Sequence, residues 1–329
     1  MIEVKDLSKS YGSRDAISNV SFNIERGRVY GLLGPNGVGK STTMNIMTGC
    51  LESSGGTVTV DGFDIYEKAA DAKRKIGYLP EIPPLYTDMT PFEFLKFVAK
   101  AKKFKGDADA EARRVAALCG VTDVGDRLIK YLSKGYCQRV GIASALVGDP
   151  EYIILDEPTV GLDPKQILEI RTLIKKLGKN HTVILSSHIL SEIQAVCDRI
   201  IIINHGVVAA HDTTDNLSRN VSNDHRIIAR IEGPRDEIVK ALRNISGIKY
   251  VKADMEREPG VYEYELEATP GSDIRREIFH IAAEHDWPLL SARSAEMTLE
   301  DVFLKITMGE GIVIPNAEDQ AEAKKGEKA

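Results

Sequence analysis

The chain has 329 residues, 43% of them hydrophobic and 28% charged, which is enough apolar material for about two soluble domains. A net charge of −6 and the lack of a long basic run argue against a nucleic-acid partner. The four cysteines (Cys50, Cys119, Cys137, Cys197) have no CxxC spacing, the opening MIEVKDLSKSYG is polar, and apolar runs such as Ile200–Ile203 are short; neither a zinc site, a disulfide framework, a signal peptide nor a membrane span is expected, and a reduced cytosolic setting fits best.

In chain order, Val29–Leu33 is the first clear strand, and a helix begins near Thr42. Between them GPNGVGKS matches G-x-x-x-x-G-K-[ST] in the strand–loop–helix setting that this motif requires. Gly34, Pro35, Asn36, Gly37, Val38, Gly39, Lys40, Ser41 and Thr42 are therefore the expected nucleotide-binding loop. The glycines let backbone N–H groups curl around phosphate oxygens. Lys40 offers a point charge to the β and γ phosphates and Ser41 a hydroxyl to Mg²⁺.

Residues 91–147 carry no strand signal and read as a helical insert. Within it LSKGYCQR (132–139) places Ser133 and Gly135 where a helix must begin, so free backbone N–H groups face an anion that no neighbour supplies. YIILDEP (152–158) is a buried strand ending in two carboxylates. Asp156 at the tip is placed to hold Mg²⁺, directly or through water, and Glu157 to accept a proton from an attacking water. Val183–Leu185 is another buried strand, and His188 beyond it is placed to sense the γ-phosphate. Short apolar runs between helices predict a parallel sheet covered on both faces.

Past residue 220 the texture changes. Arg226–Ile231, Ile248–Ala253, Val261–Ala268 and Leu289–Ala292 are strand-like, and Asp236–Leu242 and a stretch with Ile274, Ile278, Ile281 and Ala282 on one face are helical. The order β-α-β-β-α-β is that of a ferredoxin-like unit. Glu263, Glu265 and Glu267 read as the wet face of a half-buried strand. Residues 309–329, rich in Ala, Glu and Lys, read as a disordered tail. The expected domains are 1–220, with the helical subdomain at 91–147, and 222–308.

Together these motifs resemble the ATP-binding cassette family over roughly residues 1–215. The resemblance implies an α/β P-loop NTPase cassette with a helical subdomain, here followed by the small α+β domain. LSKGYCQR is similar to the family signature LSGGQ, which implies that Ser133 and Gly135 cover the γ-phosphate held by a second cassette in a head-to-tail pair. The missing anion then comes from another molecule, a homodimer or a paired second cassette. The resemblance further implies that Tyr11 stacks on adenine, that GLDP (Gly161–Pro164) crosses the dimer interface, and that the helical insert meets a membrane partner.

Two departures from the pattern matter: Glu81 stands where the family glutamine links Mg²⁺ to the membrane partner, and Lys134 and Tyr136 replace signature glycine and glutamine. Both variants, and the TLEDVFL-like stretch Thr298–Leu304, are similar to exporters whose membrane part is a separate chain. The expected function is thus a transport-coupled ATPase binding ATP and Mg²⁺, peripheral on the inner face of the cell membrane, with a separate permease subunit. A soluble cassette ATPase acting on ribosomes or DNA is the alternative; the second cassette, coiled coil or zinc-bearing insertion of such relatives is absent from the sequence.

Overall fold

Residues buried on both faces of a sheet need no polar alternation, and the apolar runs of this sequence are where a parallel sheet forms. The computed structural model describes residues 1–214, 216–217, 226–269, 274–294 and 299–308. The expected tail at 309–329 and Thr298 lie outside them. The chain divides into two compact units, the first of Met1–Thr214 together with Ile306–Ala329, the second of Asp215–Lys305.

In the first unit the elements are β1 (Ile2–Tyr11), β2 (Arg14–Ile24), β3 (Val29–Leu33), α1 (Lys40–Met47), β4 (Gly55–Val60), β5 (Phe63–Asp64), α2 (Ala69–Arg74) and β6 (Ile76–Leu79). Three helices follow: α3 (Pro91–Ala101), α4 (Ala108–Cys119) and α5 (Lys134–Leu146). Then come β7 (Tyr152–Leu155), α6 (Pro164–Leu177), β8 (Thr182–Ser187), α7 (Leu190–Val196), β9 (Arg199–Asn204) and β10 (Val207–Thr213).

Among the described residues the central sheet has six strands in the order β10-β9-β3-β8-β7-β6. All are parallel except β10, which pairs antiparallel with β9. Every residue of β3, β7 and β8 is buried. Register matters more than composition here. Leu33 pairs with Ser187, Leu155 with Leu185 and Leu79 with Leu155, so the loops after β3, β6, β7 and β8 leave from one edge. That edge is where open α/β sheets bind ligands.

A four-stranded antiparallel sheet, β2-β1-β4-β5, accompanies it. Val4, Val20 and Val58 from it share one buried core with Tyr30, Leu32, Met44, Ile154 and Ile201. Each such aliphatic side chain contributes about 1.5–3 kcal/mol on burial. The stretch from Pro91 to Leu146 holds the helices α3, α4 and α5, whose boundaries have local causes. Thr90 and Glu93 close a reciprocal capping box ahead of α3, with Pro91 at the first helical position. Gly120, at φ 67°, ends α4.

The second unit holds β11 (Arg226–Glu232), α8 (Arg235–Arg243), β12 (Ile248–Glu258), β13 (Val261–Ala268), α9 (Arg275–Glu284) and β14 (Leu289–Ser294), and the last described helix is α10 (Leu299–Met308). Its strands form an antiparallel sheet in the order β12-β13-β11-β14. A separate core of Ile227, Ala229, Ile231, Ile238, Leu242, Tyr264, Leu266 and Ile278 lies within it. In β13 the three glutamates alternate with buried Tyr264, Leu266 and Ala268, as a half-wet strand requires.

Candidate functional site

Gly39 ends the glycine-rich loop at φ 106°, and α1 starts at the next residue. A Cβ there would sit 2.3 Å from Ile17 Cγ2 and 2.7 Å from the Ala16 carbonyl oxygen, so glycine is required on both steric and conformational grounds. Lys40 is only 5% exposed. Its ammonium donates to the carbonyls of Gly34 (2.8 Å) and Pro35 (3.1 Å) and lies 3.5 Å from Glu157 Oε1. A buried cation of this kind needs such partners, and every one of them is an oxygen that an incoming anion can replace.

The acidic pair follows β7. Asp156 is buried and accepts a hydrogen bond from Ser186 Oγ at 2.6 Å. The Glu157 N–H donates to the same hydroxyl at 2.7 Å, and Glu157 adopts a left-handed backbone, φ 45°, that costs a non-glycine residue free energy. Its carboxylate is held at one oxygen by Lys40 and at the other by His188 Nδ1, 3.0 Å away. Beside them Tyr78 on β6 bonds Asn45 Oδ1; burial and the Asp156 carboxylate push its phenol up, which keeps it a donor.

These groups meet at a cavity of about 310 Å³ lined by Ala16, Asn36, Gly37, Gly39, Lys40, Ser41, Thr42, Glu81, Glu157, Val160 and His188. Nine of the residues picked out by sequence pattern are therefore brought together. Gly34, Pro35, Val38 and Asp156 stand behind the lining. Tyr11 does not line the cavity: it is 53% exposed on the β1–β2 hairpin, with the Lys9 ammonium 5.5 Å from its ring centre. Ser133 and Gly135 do not line it either. Ser133 caps α5, its hydroxyl accepting the Tyr136 N–H at 3.4 Å. Gly135 packs so tightly on Gln166 of α6 that a Cβ would come within 2.6 Å of the amide carbon.

Sequence pattern missed Ala16, Val160 and Ser186. None belongs to a contiguous motif; Ala16 arrives from the N-terminal hairpin and Ser186 from the end of β8, just past the apolar run Val183–Leu185.

The chain matches the sequence profile described as ABC transporter over residues 17–160. It is 33% identical to the linearmycin resistance ATP-binding protein of Bacillus subtilis, over 93% of this chain and 98% of that one. It is 37% identical to a lantibiotic transport ATP-binding protein of Streptococcus pyogenes, over 68% of this chain and 96% of the relative. Among solved structures it resembles a dimeric ATP-binding cassette in a post-hydrolysis state bound to ADP and Pi, with a TM-score of 0.60 and 28% identity over 65% of this chain and 98% of that one. A phosphate-loop lysine, a glutamate and a histidine converging on one cavity, together with likeness over nearly the whole length, place this chain in the ABC transporter family as an ATP-binding, ATP-hydrolysing cassette.

Proposed function

We propose that this chain is the motor of an exporter whose membrane-spanning part is a separate chain, and that its cargo is of the antibiotic class named for its relatives. The observation that carries the reading is the convergence of Lys40, Glu157 and His188 at the cavity mouth of the parallel sheet. Among the described residues no helix is long and apolar enough to cross a membrane, so transport calls for a partner that does. The chain then sits on the cytoplasmic face of the membrane, with the helical insert toward that partner.

In this reading the loop Gly34–Thr42 surrounds the phosphates of ATP, and Lys40 exchanges the carbonyls of Gly34 and Pro35 for phosphate oxygens. Tyr11 stacks on adenine. Ser41, Asp156 and Glu81 hold Mg²⁺. Their donors are all oxygens, which suits this hard cation, and among the described residues no group of three or more His, Cys, Asp or Glu forms a protein-only cage. Bound Mg²⁺ neutralises charge building on the phosphates during transfer. Glu157 takes the proton of the attacking water, and His188 fixes the glutamate carboxylate while facing the γ-phosphate. Ser133 and Gly135 of a second cassette, with the N-terminal dipole of α5, close over that phosphate.

For the second unit we propose a ferredoxin-like fold, supported by its element order and its strand order β12-β13-β11-β14. It is dispensable for nucleotide binding, because every nucleotide motif precedes residue 190.

Glu157→Gln tests the assignment of the base. Phosphate release should fall by about 10²–10⁴-fold, while ATP affinity stays within about threefold. Unchanged turnover would contradict it.

A further inference from the structure

Glu192, in the first turn of α7, is a carboxylate to which the proposed chemistry gives no task, yet it is only 5% exposed. Burying an ionised carboxylate is costly unless donors converge on it, and here three do. Thr159 Oγ1 donates to Oε2 at 2.5 Å, Ser187 Oγ donates to the same oxygen at 3.2 Å, and the Arg171 guanidinium lies 3.9 Å from Oε1. The positions of the two hydroxyls are informative. Thr159 stands two residues after Glu157, in the turn closed by the Val160 N–H to Glu157 carbonyl bond. Ser187 immediately precedes His188, and its hydroxyl also accepts the Ile189 N–H at 3.0 Å, so both flanks of the histidine are fixed by it.

One buried carboxylate thus joins the turn after β7 to the end of β8. These are the two segments that bring Glu157 Oε2 to 3.0 Å from His188 Nδ1. Successive strand residues point to opposite faces, so Ser186 and Ser187 grip the acidic loop from two directions. Ser186 holds the backbone of Glu157 directly, and Ser187 acts through Glu192 and Thr159. The strained φ of Glu157 is the kind of conformation that persists only when its surroundings over-determine it.

We propose that Glu192 is a positioning residue for ATP hydrolysis, holding Glu157 and His188 as a pair through Thr159 and Ser187; this rests on the reading of Glu157 as the base. Displacing a reacting group by about 1 Å can cost up to roughly 10²-fold in rate without touching substrate affinity. The effect should therefore fall on kcat rather than on KM.

The test uses the full chain carrying Glu192→Ala, Glu192→Gln or Thr159→Val, and Glu192→Gln combined with Glu157→Gln. ATP affinity is read by calorimetry without Mg²⁺, folding by thermal melting, and turnover by phosphate release, with single-turnover assays for the slow variants. Glu192→Ala should lower kcat about tenfold or more, with KM and ATP affinity within about twofold. Glu192→Gln, which keeps one acceptor oxygen, and Thr159→Val should each lower it by a smaller factor of about three to ten. In the Glu157→Gln background, adding Glu192→Gln should change the residual rate by less than about twofold, because positioning an absent base has no value.

Should Glu192→Ala melt early, the Gln and Val variants decide. The proposal is overturned if both keep wild-type kcat, or if Glu192→Gln costs the same factor with and without Glu157. Wild-type turnover in Glu157→Gln alone would instead overturn the base assignment, whatever Glu192 does.

Discussion

The central sheet of the first unit and the sheet of the second unit both bury a row of apolar side chains, but they deliver polar groups to different places. In the first, β3, β6, β7 and β8 run the same way, so Lys40, Glu81, Glu157 and His188 come from four distant stretches of sequence to one edge. In the second, neighbouring strands are antiparallel and the charges spread over a face. Glu263 stands opposite Arg230, and Glu265 opposite Lys252. Cross-strand pairs of that kind offset one another in water. Parallel topology concentrates chemistry, whereas this antiparallel sheet disperses it.

The most severe way to break the contrast is at Gly39. Gly39→Ala places a Cβ against Ile17 and the Ala16 carbonyl at a φ of 106°, so the phosphate loop cannot keep its shape. ATP affinity should fall by about 10²-fold or more, equivalent to about 3 kcal/mol, in a titration on folded protein. Retained affinity would mean that the loop tolerates a side chain and that its observed curl is not what binds phosphate.

An effect on stability alone is expected at Asp61, which does not line the cavity. Its carboxyl is half-buried, which by itself would raise its pKa. Bonds from the Met1 amine, Tyr152, Arg26 and Lys75 outweigh burial and hold it well below the usual carboxylate range. Asp61→Asn should cost about 1–2 kcal/mol in urea unfolding at pH 7, as weakening hydrogen bonds to a charged group does. The sign of the pH dependence is fixed. A depressed folded pKa contributes stability above the unfolded value, near 4, which is lost progressively as pH falls below it. The gap between wild type and variant should therefore narrow at pH 3; a gap that widens would contradict the ion cluster.

The smallest effect sharpens the comparison from the other side. Ending the chain near residue 220 should leave ATP affinity within about threefold, since among the described residues no group lining the cavity lies beyond His188. A folded fragment that has lost ATP binding would show that the second unit contributes to the site.

The parallel strands were legible because residues buried on both faces leave unbroken apolar runs, as in Tyr152–Leu155. The N-terminal hairpin was not, since its period of two is broken twice. Asp6 (φ 50°) and Asn19 (φ 49°) adopt left-handed backbone, and the pairing of β1 with β2 shifts between Val4 and Leu7. Ile76–Leu79 is too short and too mixed to announce a strand, although it carries Glu81 to the cavity. Ile248–Ala253 was read too short, because the strand continues to Glu258 through polar residues. The phosphate loop was legible because its chemistry is contiguous. Ser186 and Glu192 were not, for they act on residues about thirty positions away and only the sheet brings them near.

In the proposed cassette pair, two chains share each ATP, and size-exclusion chromatography with light scattering on Glu157→Gln reads this out at millimolar ATP, at millimolar ADP, and with Ser133→Arg added. A dimer is expected with ATP and a monomer with ADP. A monomer is also expected with ATP when Ser133→Arg blocks the start of α5, with ATP affinity of the monomer unchanged. A Glu157→Gln chain that stays monomeric across millimolar ATP, or a dimer indifferent to Ser133→Arg, would contradict it.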